Sequence, residues 1–333
     1  MLNFSYAKPS TLEEALVQLA DNPGHDVLAG GTTMIDLMKI GVRQPEGLID
    51  LTGIDTLEGY SLDGDTIRFG ALARMTDVGD DADLKAMAPA LTESLWKAAS
   101  PQLRHAARLG GNILQRTRCP YFRDTAYSCN KREPGSGCAA LDGGKTTLHA
   151  ILGGSEQCVA MYPGDWAQAL VAFDAEVVLA SKAGRRTVPF GELHVLPGDT
   201  PEIETVLKPG EIVVEILVPK NSALANSHYL KARARESYAF ADASAAVGIA
   251  MDGDTVADAR IALGGVASVP WRATAAEDAL KGKPFSEEAA LEAGRIAFED
   301  AKPLEGSAYK IDLGASVVAG ALVTAHQRAT QEG

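Results

Sequence analysis

All four cysteines of this 333-residue chain, Cys119, Cys129, Cys138 and Cys158, fall in one stretch. Four thiolates confined in this way suggest one shared site. They are the ligand set of a cubane iron–sulfur cluster or of a structural zinc. The intervening spacings of nine, eight and nineteen residues match neither a standard zinc motif nor a ferredoxin motif, so spacing leaves both chemistries open. Two disulfides are disfavoured in a reducing cytosol, and unconnected core cysteines by the lack of hydrophobic periodicity around them. Residues 101–160 carry eight Lys and Arg against four Asp and Glu, in a chain of net charge −13. Local positive charge stabilises thiolates and an anionic cluster; it equally suits a basic surface for an acidic partner. His149 lies inside this window, where a structural role is at least as well supported as a chemical one.

Three further segments have the residue types of a phosphate or nucleotide site. Leu28-Ala29-Gly30-Gly31-Thr32-Thr33 links an expected strand to an expected helix. Glycines let backbone N–H groups approach a pyrophosphate at a helix start. The pattern is not G-x-G-x-x-G, and taken alone it reads more readily as a plain tight turn. Leu109-Gly110-Gly111-Asn112 is a second such turn, with the Asn112 amide as added donor and acceptor. Asp165, in Pro163-Gly164-Asp165, is either a simple helix N-cap or a carboxylate that holds a ribose or ribityl hydroxyl. The six histidines are dispersed, and none pairs locally with a nucleophile motif, which argues against a hydrolase.

The elements that must position these residues read as follows. Ser10 and Glu13 form a capping-box pair ahead of an amphipathic run to Leu19. Strand 26–29, helix 34–40 stopped by Gly41, and strand 48–51 complete a small α/β unit. Strand 66–69 precedes a helical stretch over 82–99 that Pro89 breaks or kinks. The cysteine stretch then reads as a long irregular loop, the kind that in a compact domain is usually functional. Helix 166–173, strand 176–180 and strand 211–218 follow. A composition change near 221 marks a domain boundary. Beyond it come strands 245–251 and 259–264 about Asp252-Gly253-Asp254, helices 273–280 and 286–298, and a last helix from Gly314 to Arg328. The acidic net charge argues against nucleic acid or an anionic membrane, and no apolar run approaches the ~20 residues of a span. The N-terminus lacks a signal peptide's basic and apolar regions, which predicts a cytoplasmic protein.

In order, these segments resemble the FAD-binding subunit of the molybdenum hydroxylases, the xanthine dehydrogenase and carbon monoxide dehydrogenase family, over nearly the whole chain. Residues 28–33 with Lys39 look like its first FAD motif and Arg108-Leu109-Gly110-Gly111-Asn112 like its second. Asp165 followed by Ala169-Leu170-Val171-Ala172 looks like the segment whose Asp contacts the flavin chain. The strand about Val213, and Lys231, resemble the surroundings of the isoalloxazine. Ala262–Ala267 and Tyr309-Lys310 resemble the family's C-terminal domain. The stretch from Arg116 through Cys119 to Cys138 is similar to the bacterial aldehyde oxidoreductase branch, whose FAD subunit carries an extra [4Fe–4S] cluster on such an insertion.

The resemblance implies an α+β fold: a p-cresol methylhydroxylase-type FAD-binding domain in two α/β lobes, plus a C-terminal α+β domain. The lobes would span about 1–55 and 56–220, with the insertion at about 115–160, and the last domain 221–333. It implies FAD held at its pyrophosphate by Val27, Leu28, Ala29, Gly30, Gly31, Thr32, Thr33 and Met34 with Arg108, Leu109, Gly110, Gly111 and Asn112. Asp165 would hold the flavin chain, Val213 would lie beside the ring, and Lys231 near the ring or the phosphates. All four cysteines would ligate [4Fe–4S]. The partners implied are a small subunit with two [2Fe–2S] clusters and a large molybdenum-cofactor subunit that oxidises an aldehyde. Where many xanthine dehydrogenases have a lysine beside the flavin, this chain has Asp242. That disfavours NAD and favours dioxygen, a quinone or an electron-transfer protein as acceptor. Export with a partner bearing a twin-arginine signal would place the complex in the periplasm. Two other readings compete: a self-contained flavin oxidoreductase, and a non-enzymatic scaffold whose loop is stapled by zinc on the four cysteines.

Overall fold

Three sheets organise the chain, the second of them shared between two hydrophobic cores; the computed structural model describes residues 1–331. The first sheet is parallel. It consists of β1 (Ser5–Ala7), β2 (His25–Leu28) and β3 (Gly47–Asp50) in the order β1-β3-β2. The central β3 is buried along its whole length, as expected of a parallel strand covered on both faces. Helix Leu12–Asp21 packs Leu12, Ala15 and Leu16 into this core. Its N-cap is Thr11, which accepts from the Glu14 N–H at 3.2 Å, while the Glu14 carboxylate accepts from the Ser10 N–H at 3.0 Å. The capping pair thus sits one residue later than the expected Ser10–Glu13, a shift that makes Leu12 the first helical residue.

The second sheet is antiparallel: β4 (Tyr60–Ser61), β5 (Thr66–Gly70), β6 (Glu176–Ser181), β7 (Gly184–Pro189) and β8 (Ile212–Pro219), ordered β4-β5-β8-β6-β7. The edge strand β7 buries Val188 alone and so lacks the alternation that reveals a strand. Pro89 divides the expected 82–99 helix into Ala82–Met87 and Pro89–Lys97, standing at the first position of the second.

The third sheet comprises β9 (Ser227–Ala232), β10 (Ala243–Asp252), β11 (Thr255–Gly264) and β12 (Trp271–Arg272), antiparallel in the order β12-β11-β10-β9. Tyr229, Ala246 and Ala262 pack toward the second sheet's core, while Val247, Ile261 and Leu263 face the C-terminal helices. The last helix, Tyr309–Gln331, starts before the expected Gly314. Gly314 does not begin it; a Cβ there would lie 2.2 Å from the Phe298 ring, so glycine permits that helix contact. The α+β architecture and the two-lobe arrangement are those anticipated. Between the Gly110-Gly111 turn and helix Trp166–Ala172, the chain has no regular element except Pro120–Arg123 and isolated bridges. No helix among the described residues is long and apolar enough to cross a membrane.

Candidate cofactor cleft and cysteine site

The two Gly-Gly turns, far apart in sequence, meet in space. A Cβ on Gly30 would lie 2.0 Å from the Ala106 carbonyl oxygen, so the first turn touches the backbone leading into the second. Gly31 has φ +72°, a left-handed conformation suited to glycine. At Gly111 a Cβ would meet nothing closer than Ala29 Cβ at 4.0 Å. Glycine at 30 is therefore demanded by packing, whereas at 111 it leaves space open. Helix Met34–Lys39 follows the first turn, whereas Gly110 and Gly111 lie within helix Leu109–Ile113, so the expected second turn is the opening of a short helix; neither Thr33 nor Arg108 caps its helix with a side-chain bond.

Between the first and second lobes these turns border a cleft of about 1030 Å³. Its volume reaches the upper end of the usual range for ligand sites, about 300–1,000 Å³. Of the residues expected to hold a nucleotide, Val27, Ala29, Gly30, Gly31, Thr32, Thr33, Met34, Arg108, Gly110, Gly111 and Val213 line it. Leu28, Leu109 and Asn112 belong to the same turns but stand behind the wall; Leu109 is wholly buried.

Asp165 and Lys231 are also outside the lining, and they bind each other. Lys231 Nζ donates to Asp165 Oδ2 at 2.9 Å, and the Tyr229 hydroxyl to Oδ1 at 2.6 Å. Asp165 starts helix Trp166–Ala172 without capping it, which corrects the simple N-cap expectation. The group is a buried ion pair that ties the second lobe to β9. Burial pushes the Asp165 carboxyl up, opposed by the Lys231 charge.

Several cleft residues gave no signal in the sequence. The Arg43–Asp26 ion pair lies at one end of the cleft. His194 lies edge-on to Tyr162 at 4.7 Å, and its Nε2 and the Tyr162 hydroxyl both bond the Ile113 carbonyl, at 2.9 and 3.0 Å. Burial lowers the His194 pKa to about 4, so the ring is neutral at pH 7. Apart from Asp26 on β2, these residues come from loops whose spacing carries no period, and only the fold brings them to the cleft.

The cysteine segment is irregular but closely tied together. Cys129 and Cys138 pair as an antiparallel bridge, next to an Asn130 N–H donated to the Gly137 carbonyl at 2.7 Å. The Asn130 side chain accepts from Gly137 N–H at 2.8 Å and donates to Gln157. Arg132 donates to the Tyr121, Phe122 and Tyr127 carbonyls. None of the four cysteines forms a disulfide. Burial, with smaller contributions from Cys129 and Cys158, pushes the Cys119 thiol up to about 12; burial also raises Cys158, which feels Cys138 and Cys129. Among the described residues no group of three or more His, Cys, Asp or Glu is arranged to hold a metal ion. His149 Nε2 lies 3.3 Å from Cys119 Sγ.

Much of the segment's positive charge is paired within the chain. Arg118 and Arg123 both donate to Asp36, on helix Met34–Lys39, at 3.0 and 2.8 Å. Arg116 and Lys131 both bind Glu204.

Comparison with known proteins matches residues 2–221 to the FAD binding domain in molybdopterin dehydrogenase, and residues 228–325 to the CO dehydrogenase flavoprotein C-terminal domain. The chain is 40% identical over 331 residues to the aldehyde oxidoreductase FAD-binding subunit PaoB of Escherichia coli K12, covering 99% of this chain and 100% of that protein. It is 30% identical to the carbon monoxide dehydrogenase medium chain of Hydrogenophaga pseudoflava, with 98% of each covered. A solved structure of carbon monoxide dehydrogenase from that organism, lacking the Mo-pyranopterin moiety, superposes with a TM-score of 0.77 at 29% identity, again over 98% of each chain.

Proposed function

This chain belongs to the family of FAD-binding subunits of the molybdenum hydroxylases, and from that premise we propose that it is the electron-transferring subunit of a heterotrimeric, molybdenum-dependent aldehyde oxidoreductase. The observation that carries the reading is the cleft between the lobes, bordered by two Gly-Gly turns and open at the position where Gly111 lacks a Cβ. When bound, FAD would take electrons singly from a small subunit's two [2Fe–2S] clusters, reduced in turn by the molybdenum subunit, and release them to dioxygen, a quinone or an electron-transfer protein.

The chain's own residues bind and orient. The backbone of Gly30 to Met34 and of Arg108 to Gly111 would cradle the pyrophosphate, with the Arg108 cation beside it. Val213 supplies apolar wall. Asp165 and Lys231 act behind that wall, as the ion pair that fixes β9 against helix Trp166–Ala172. The division of labour we adopt is an FAD-binding domain over 1–220 and a C-terminal domain over 221–333.

We assign the four cysteines to a [4Fe–4S] cluster. Support comes from the 40% identity to an aldehyde oxidoreductase FAD-binding subunit, from the confinement of all four cysteines to one segment and from the bridge that sets Cys129 beside Cys138. The raised proton affinity of Cys119 and Cys158 gives way on coordination, since a bound metal deprotonates a thiol outright.

The test is the purified native complex mixed anaerobically with an aldehyde, flavin absorbance being followed. Bleaching of the flavin that requires both partner chains is expected. Bleaching by the isolated chain with an organic substrate would instead identify a self-contained flavin oxidoreductase.

A further inference from the structure

The cysteine segment does more than carry ligands: it holds part of the cleft wall. Residues 193–206 form a short hairpin-like loop, with a bridge between His194 and Thr205, a Val195 N–H donated to the Glu204 carbonyl at 3.0 Å, and a Val206 N–H donated to the Leu193 carbonyl at 3.0 Å. His194, Glu204 and Thr205 line the cleft. Beside the His194 bond to the Ile113 carbonyl and an Arg186 bond to the Val206 carbonyl at 2.9 Å, several bonds that fix this loop come from the cysteine segment. Lys131 Nζ reaches Glu204 Oε1 at 3.1 Å and donates to the Pro201 carbonyl at 2.8 Å. Arg116 Nε donates to the other Glu204 oxygen. Ser155 Oγ donates to the Gly198 carbonyl at 2.7 Å.

Each of these anchors is close in sequence to a cysteine. Arg116 precedes Cys119, Lys131 follows Cys129, and Ser155, which also accepts from the Cys158 N–H at 3.2 Å, precedes Cys158. The Lys131 side chain is 9% exposed and that of Glu204 25% exposed, so this is a largely desolvated contact in which losing one charge strands the other.

We propose that Glu204 is a latch that couples the four-thiol site to the cleft, so that an occupied cysteine site tightens FAD retention. The inference rests on the flavin and cluster reading above. Ordering the segment fixes Arg116, Lys131 and Ser155; these hold the 193–206 loop against the cleft; and the loop keeps the cofactor in. Glu204 is a positioning residue, acting through the loop's placement. Such coupling is reciprocal, and couplings of this kind commonly amount to about 5- to 150-fold in affinity.

The experiment is a two-by-two cycle on the full chain, reading FAD dissociation constants by flavin fluorescence. One axis is the cluster, intact or removed with ferricyanide and EDTA; the other is wild type or Glu204→Gln. Removing iron from the wild type should weaken FAD by at least about fivefold. Glu204→Gln with its iron intact should weaken it comparably. Removing iron from Glu204→Gln should then add less than about twofold, the non-additivity of two groups acting through one contact. Glu204→Asp, which keeps the charge, should recover part of the affinity. Lys131→Met repeats the cycle from the other partner if Glu204→Gln fails to fold. FAD affinity indifferent to iron, or effects that simply multiply, would overturn the coupling alone. A chain that binds FAD but never holds iron would overturn the cluster assignment and the coupling with it. A chain that binds no FAD would overturn the flavin reading itself.

Discussion

The cleft turns and the cysteine segment solve the same problem, placing groups around a cofactor, by opposite means. At the cleft the backbone does it: sheets and short helices carry two glycine turns, and the site is formed by side chains that are absent. In the segment only the short helix Pro120–Arg123 and isolated bridges are regular. Its shape comes from side chains, Asn130 and Arg132 within it, Arg118 and Arg123 to Asp36, and Arg116 and Lys131 to Glu204. A framework of the first kind tolerates an empty site. One of the second kind gathers cationic side chains about a segment with two buried and two half-buried thiols, and on the proposed cluster reading would rely on a metal to draw them together. Local stability should differ accordingly, as it does between packed cores and regions held by few apolar contacts.

Glycine substitutions within the cleft sharpen that contrast most. Gly111→Asp adds a side chain where the fold has room and sets a carboxylate against a pyrophosphate. Like charges so opposed cost several kcal/mol, so FAD affinity should fall at least about a hundredfold while the melting temperature of the flavin-free protein holds. Gly30→Ala should do the reverse. Its Cβ meets the Ala106 carbonyl, and overpacking of this kind costs about 1–3 kcal/mol, visible in urea unfolding without FAD. Equal loss of stability in both variants would dissolve the distinction between a glycine for packing and a glycine for a ligand.

A smaller effect comes from His194, on the loop where the two regions join. In the unfolded chain it takes up a proton near pH 6.5, in the folded chain only near 4, because burial disfavours the charged ring. Stability is therefore full above about pH 6.5 and declines as pH falls toward 4, by about 3 kcal/mol. Urea midpoints measured across that window should show the decline, and His194→Phe should flatten it. An equally steep decline in the variant would show that other groups set the acid limit.

How much of this was legible in the residues depended on the kind of signal. Gly30-Gly31 and Gly110-Gly111 were readable because glycine reports on backbone, and the core strands β3, β8 and β10 because their apolar runs report on burial. The edge strand β7, with one buried residue, gave no pattern. Asp165 and Lys231 were readable as single polar residues of interest, but not as partners; that needed β9 laid against helix Trp166–Ala172. The surplus of Lys and Arg about the cysteines was plain, but its destination was not, because Asp36 and Glu204 lie far away in the chain. His194 and Glu204 sit in an aperiodic loop, and only the tertiary fold gives them a site to line.

Whether one chain joins a flavin cleft to a four-cysteine cluster is open to a direct count of cofactors on the anaerobically purified protein. One FAD per chain is expected, with about four irons and four acid-labile sulfides assigned to the four cysteines, and iron lost together in Cys158→Ser. A folded chain that takes up no FAD, or one that holds stoichiometric zinc without labile sulfide, would contradict it.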